Sequence, residues 1–489
     1  MVIGTGAGGG PTAARLAEAG LEVVVLESGP HLDARDFNGV EGEMFFRLGR
    51  FAATDDGSLN LYAGHCVGGS TVVNDALCWR TPPEVLARWR EEHGLAPLSD
   101  AALAPFVDRV WRDVGATPTR RAYLNRNAHA LERGAHRLGW AAEPMARNVR
   151  GCLNLGLCNL GCPSNAKQST LITYVPRAVA AGARLLPLMR AERVLHEGGR
   201  AQGVVATRLD PVSGAPAGEL TVRAPLVCVA AGVLETGALL LRSGLRGRRG
   251  TAGQGLQFHS SVHVTARFAE PIHGYFGPTM AYAISEFADV LGHRGPGFMI
   301  ENTAVHPLVT AQNLPGFGEE HERAMAALPF LAKAVVVLRD RTRGRVRLDR
   351  AGRAAFGYAL LPEDLARMGE GMRAAARAYL AAGALEVWLP MDGVAPVRSE
   401  RELDALADRV PRQAELFSLY AVHLFGGAAM GGGPAQGFCS VEGEAFDVSG
   451  LYVVDAAGLP GNTGANPQVT IMANALRIAE GVAARGVRA

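Results

Sequence analysis

Lysine is almost missing from this chain. Lys167 and Lys333 stand alone among 49 basic residues, a skew that reads as coding bias rather than function. An excess of one charge is missing too. The 49 Lys and Arg face 47 Asp and Glu, which leaves no basic field of the kind that attracts nucleic acid. No apolar run reaches the roughly 20 residues that cross a bilayer. The stretch Ala326–Leu338 is too short and carries Lys333. Aromatic residues are only 6 % of the chain, which gives no hint of a sugar-stacking platform. Internal repeats and low-complexity tails are absent. A signal peptide is not seen either, because a strand begins at residue 2; the start is abrupt, as if a few upstream residues were missing. Seven cysteines are an odd number, and three fall within eleven residues, which argues against a disulfide framework. A reducing, cytoplasmic setting is expected.

What is present starts at the N-terminus. The apolar residues Val2 and Ile3 run into Gly4-Thr5-Gly6-Ala7-Gly8-Gly9, and a helix is expected over Ala13–Ala19. Gly4 permits a tight turn, Gly6 lets the backbone approach a pyrophosphate, and Gly9 lets helix and strand pack closely. The helix N-terminus then aims its N–H groups at the phosphates. A second strand, Glu22–Leu26, ends at Glu27, 23 residues after Gly4. A carboxylate at that distance is placed to bind a ribose diol.

With 489 residues, two or three packed units are expected. The fold class is α/β, with a dinucleotide-binding domain assembled from residues 1–83, 148–259 and 426–489. Residues 84–147 read as an inserted helical segment, with helices over Glu84–His93, Asp100–Val114 and Asn127–Leu138. Residues 183–231 return to strands. Residues 260–425 read as an α+β substrate domain on a mixed sheet, with strands Ser261–Phe268 and Gly297–Thr303 and helices Pro362–Ala382 and Glu400–Gln413. The chain closes on a strand, Gly450–Val454, and a helix, Pro467–Arg485.

Four segments together resemble the glucose-methanol-choline (GMC) oxidoreductase family. The first is the glycine loop with Glu27-Ser28-Gly29. The second runs from Gly64 through His65, Cys66, Val67, Gly68, Gly69 and Ser70 to Asn74, with Arg80 beyond it. Here His65 stands for the family's usual Arg and Val67 for Leu. The third is Val227–Thr236, with Thr236-Gly237 where Ser-Pro is common. The fourth is the pair His423–Gly431 and Asp455–Ala473. The resemblance implies a Rossmann-type FAD-binding domain. It places Gly68, Gly69 and Asn74 along the isoalloxazine edge, and Val194 where the backbone meets the adenine. Some members tether the flavin through a His just before the Asn; Val73 holds that position here, so non-covalent FAD is expected. His65 is expected to be a loop residue near the pyrophosphate.

The C-terminal motifs carry the expected chemistry. Asp455 follows the last strand, and Pro467 suits the first turn of the last helix, having no N–H to lose. The positive end of that helix can favour negative charge on a reduced flavin ring. His423 matches the family's active-site His, although Leu424 and Gly427 replace the usual Pro and Thr. Asn466 matches its second active-site position. Alcohol oxidation moves a hydride to the flavin and a proton off oxygen, so His423 is expected to act as base with Asn466 orienting the hydroxyl. His306 and Glu301 are secondary candidates; a surface-facing Glu301 on an alternating strand is the expected reading, with a cavity-facing carboxylate as the alternative.

Cys152, Cys158 and Cys162 precede Pro163 in a glycine-rich loop. Three readings stand: a packing loop beside the flavin, an iron–sulfur cluster, or a disulfide. Such a loop is similar to that of cluster-bearing sugar dehydrogenases in the family. It is also similar to that of long-chain alcohol oxidase-like members, where no cluster is implied. Zinc is disfavoured, because no fourth ligand is near. The reading that follows is an FAD-dependent oxidoreductase acting on a CH–OH group of an apolar alcohol. Its electron acceptor is O2 or a partner redox protein. The alternatives are a sugar or polyol dehydrogenase with an iron–sulfur centre, and a non-redox flavoprotein (lyase or isomerase) on the same fold.

Overall fold

The computed structural model describes residues 1–391, 393–406 and 417–486. The short apolar segments at the N-terminus build a five-stranded parallel sheet. Its order is Leu451–Val453, Val227–Val229, Val2–Ile3, Val24–Leu26, Arg184–Leu186. The central strands are buried on both faces, which is why they read as unbroken apolar runs. The helix Gly9–Glu18 follows the glycine loop and packs on the last helix, Gln468–Gly486. Gly9 is required by the close approach of this helix to the loop before it, since a Cβ there would stand 1.9 Å from the Gly4 carbonyl oxygen. The segments that build this sheet come from both ends and the middle of the chain.

The second body is an eleven-stranded, mostly antiparallel sheet. Its spine is the long strand Gln254–Arg267, flanked by Leu331–Leu338 and Leu419–Phe425. Phe298–Asn302 pairs with Leu331–Leu338, and Leu59–Gly64 joins the far side in parallel with Leu419–Phe425. The helix Pro362–Ala382 covers one face and has the bounds read from the sequence. Pro362 opens it, Gly383 closes it in the left-handed conformation, and Gly371 lets it ride close over Val336.

The three helices of the inserted segment are present as Pro83–His93, Asp100–Asp113 and Arg126–Leu138. Of the helix expected over Glu400–Gln413, Glu400–Asp404 is present; residues 407–416 lie outside the described residues. The spine strand is far longer than the Ser261–Phe268 expected. Its first half carries Gln257, His259, Ser260 and Ser261, all buried, so polarity hid a core strand. Among the described residues no helix is long and apolar enough to cross a membrane.

Candidate active site

A cavity of about 960 Å³ lies between the two sheets. Of the residues singled out in the sequence, Gly4, Gly6, Glu27, Gly64, Gly69, Asn74, His423, Asp455, Asn466 and Pro467 line it. Gly9, Gly68 and Val194 do not. The two glycine loops meet at its floor. Gly69 is left-handed (φ +52°), and a Cβ on it would stand 2.9 Å from the Gly6 Cα. A Cβ on Gly6 would meet only the Gly69 Cα, at 3.8 Å. Protein packing therefore does not demand glycine at position 6; the bare backbone there leaves room for a bound group. Such a cradle, with the first-turn N–H groups of a helix behind it, fits a dinucleotide pyrophosphate.

Two expected cofactor contacts are already engaged by the protein. Glu27 is buried, and its carboxylate accepts hydrogen bonds from Thr5 N (3.0 Å), Thr5 Oγ1 (2.6 Å) and Gly29 N (2.9 Å). Burial nevertheless pushes its carboxyl pKa up. It clamps the glycine loop from the position where a ribose was expected. Val194 does not line the cavity. Its N–H donates to Ser243 Oγ at 2.8 Å and its side chain is buried, whereas Met189, Arg190 and Ala191 on the same strand face the cavity. Asp455 accepts from Gly232 N (2.7 Å), Thr236 Oγ1 (2.6 Å) and Ala457 N (2.9 Å), tying two segments together at the cavity wall. His65 lines the cavity too; burial, aided by Arg50 and Arg190, pushes its imidazole down to about 4.

His423, Asn466 and Glu301 face the same space. Asn466 Nδ2 donates to Glu301 Oε2 at 3.3 Å, while Glu301 Oε1 and Asn466 Oδ1 have no partner among the described residues. Glu301 is fully buried, and desolvation pushes its carboxyl up to about 7. The surface-facing position expected for it is not what the fold produces. Phe298–Asn302 is an interior strand, buried on both faces, and this carboxylate points to the cavity.

Behind His423 stands a residue the sequence did not flag. His259 and His423 are cross-strand partners, and their Nδ1 atoms are 3.1 Å apart. The Gly464 N–H donates to His259 Nε2 at 3.0 Å. Burial keeps His259 neutral, so its one hydrogen sits on Nδ1 and is donated to His423 Nδ1. His423 is neutral too, since burial pushes it down to about 4. Its own hydrogen is therefore on Nε2. In this tautomer His423 offers the cavity a donor; the expected base role needs its other tautomer.

Comparison with known proteins shows the family. Two models described as GMC oxidoreductase match residues 41–261 and 340–475. The chain belongs to the GMC oxidoreductase family. It is 36 % identical, over its whole length and 76 % of the relative, to an uncharacterized GMC-type oxidoreductase of Mycobacterium tuberculosis. It is 28 % identical, over 99 % of its length and 66 % of the relative, to a long-chain-alcohol oxidase of Arabidopsis thaliana. In fold it is similar to pyridoxine 4-oxidase from Mesorbium loti, with a TM-score of 0.73, 18 % identity and 98 % of each chain covered. As a GMC enzyme it is an FAD-dependent oxidoreductase.

In this GMC oxidoreductase the cysteine loop is not a metal site by geometry. The Cys158 thiol accepts from Arg147 Nη2 at 3.0 Å. Cys162 accepts from Lys167 N at 3.4 Å, and Cys152 turns to Asn154, 3.7 Å away. Among the described residues no three His, Cys, Asp or Glu side chains converge as ligands, and all seven cysteines are free. The loop is instead held by Lys167. Its ammonium is fully buried and donates to the carbonyls of Val72 (2.6 Å), Asn74 (2.8 Å) and Cys158. His306, the other secondary candidate, also lines the cavity, with Nε2 donating to the Gly156 carbonyl at 2.7 Å.

Proposed function

We propose that this enzyme oxidises the CH–OH group of an alcohol with an apolar body, using non-covalently bound FAD. The carrying observation is the contact of Glu301 with Asn466 in the cavity that His423 also lines. Bound FAD would supply the acceptor for the hydride that leaves the carbinol carbon. Gly6, Gly69, Asn74 and the first turn of the last helix would hold it, and Val73 offers no side chain for a covalent tether. The protein supplies the rest. His423 Nε2–H donates to the substrate oxygen and Asn466 fixes its orientation. Glu301 takes the hydroxyl proton; a carboxyl near pKa 7 is matched to that task at neutral pH. The name of the Arabidopsis relatives supports an alcohol with a long hydrocarbon body, and the cavity's valines, Val335 and Val337, suit one. Seven unpaired thiols fit a reducing, cytoplasmic setting.

The test is anaerobic titration of the purified protein with alcohols, sterols and sugars, followed by admission of air. Bleaching of the flavin bands by alcohols supports the reading. Recolouring in air marks O2 as the electron acceptor, and persistent bleaching marks a partner redox protein. A flavin that none of these compounds reduces would overturn the reading and favour a non-redox role.

A further inference from the structure

The chain's two lysines are both buried, but they are not alike. Lys167 is surrounded by three carbonyl acceptors. Lys333 lines the cavity, is only 1 % exposed, and its ammonium has one partner, Thr310 Oγ1 at 3.3 Å. No carboxylate among the described residues lies within ion-pair distance of it; Glu41 and Asp75 act on it only from farther away. A buried cation without a counterion is costly, and a lysine is otherwise among the rarest residues in a core. Burial pushes its ammonium down to about 7, as expected of a cation with no anion beside it.

A second unpartnered group faces the same part of the cavity. His263 is also buried, on the neighbouring spine strand. Its Nε2 lies 2.8 Å from the Tyr420 hydroxyl, while its Nδ1 has no partner. With Nε2 accepting the tyrosine hydrogen, Nδ1 carries a hydrogen that it can offer to the cavity, where Asn313 is the neighbouring side chain. An ammonium with one hydroxyl partner and no counterion, and an imidazole beside it, line one cavity.

We propose that Lys333 and His263 form a subsite for a carboxylate carried by the alcohol substrate at the end remote from its hydroxyl. The proposal rests on the alcohol-oxidising reading and names the substrate class within it: a hydroxy acid rather than a plain alcohol. The register sets the spacing. Glu301 pairs with Val335, and Lys333 is two residues farther along the same strand. That step is about 7 Å along the strand. Val335, level with Glu301 and next to Lys333 on the same face of the strand, lines the cavity, so the intervening part of the substrate meets apolar wall there. A carboxylate there would satisfy both donors, and its charge-assisted hydrogen bonds are the strong kind.

The experiment uses the FAD-loaded enzyme and two readouts. Calorimetric titration with hexanoate measures the subsite without turnover. The ratio of kcat/KM for ω-hydroxyhexanoate over hexanol measures it in the reaction. Hexanoate is expected to bind, and the ratio to favour the hydroxy acid by tenfold or more. Lys333→Met should weaken hexanoate and lower the ratio by about 10–100-fold, the range for hydrogen bonds to a charged group. His263→Gln should lower both by less. Failure of hexanoate to bind the parent enzyme, or equal binding by parent and Lys333→Met, overturns the subsite. Should neither alcohol reduce the flavin, the alcohol reading fails on its own, and the hexanoate titration still decides the subsite.

Discussion

His259 and His423 face each other across neighbouring strands with their Nδ1 atoms 3.1 Å apart, and the Gly464 N–H fixes which of them holds the shared hydrogen. The consequence is a distinction between two substitutions. His423→Ala should slow flavin reduction by about 10²–10³-fold, as expected for loss of a donor to a developing oxyanion. His423→Gln keeps an N–H and should recover about tenfold of that loss. A base would not be rescued this way. Anaerobic stopped-flow reduction of the two variants reads the difference; equal rates for Ala and Gln would return the base role to His423.

Gly6 separates cofactor binding from folding. A Cβ there touches only the Gly69 Cα at 3.8 Å, while one at Gly4 would stand 2.2 Å from the Ala230 carbonyl oxygen. Gly6→Val should therefore fold with a normal circular-dichroism spectrum yet emerge colourless. Gly4→Val should fail to fold. In the parent protein, acid precipitation should release all the yellow colour into the supernatant, since Val73 cannot tether a flavin.

Much of this was legible in the chain. The first glycine loop and the apolar strands of the parallel sheet follow from spacing, because backbone approach and burial on both faces leave marks in sequence, whereas His423 and Asn466 follow from the resemblance of their motifs to the family's. What stayed hidden has one physical cause. His259, His263 and Lys333 are polar residues on strands buried on both faces, and the same burial turns Glu301 from the expected surface position to the cavity. Alternation cannot reveal them, because a strand lining an internal cavity shows polar residues where a surface strand would show them too. The strand of Val194 is legible, but which of its residues reach the cavity depends on its neighbours, and Ser243 accepts the Val194 N–H. Composition shows that lysine is scarce but not that both lysines are buried.

The cysteine loop should bind no stoichiometric metal. Cys152, Cys158 and Cys162 each have a separate partner. Iron analysis of anaerobically purified protein should give less than about a tenth of the three irons such a cluster carries. Cys158→Ser should retain the flavin spectrum. Three irons per chain, lost in that variant, would restore the cluster.

Lys167 joins the cysteine loop to the segment Val72–Asn74 beneath the cavity. Replacing it with Met strands three buried carbonyls, a loss of about 2–5 kcal/mol if none finds a new partner. The urea midpoint of Lys167→Met should fall accordingly, and FAD should dissociate faster, since Asn74 lines the cavity. An unchanged midpoint would show that water replaces the ammonium there.

The pH profile tests the proton acceptor. Glu301 must be ionised to take a proton, and burial pushes its carboxyl up to about 7. The rate of flavin reduction should therefore be low in acid, rise as pH passes about 7, and level off above it. His423 and His259 do not contribute a rise in this window, because burial holds both neutral well below it. Glu301→Gln should remove the rise and slow reduction by about 10²–10⁴-fold, the usual contribution of a positioned base. Asn466→Ala should shift the midpoint upward, since its N–H favours the ionised carboxylate at 3.3 Å. A Glu301→Gln enzyme that keeps both the parent rate and the rise near pH 7 would place the proton elsewhere in the cavity, with His306 the next residue to replace.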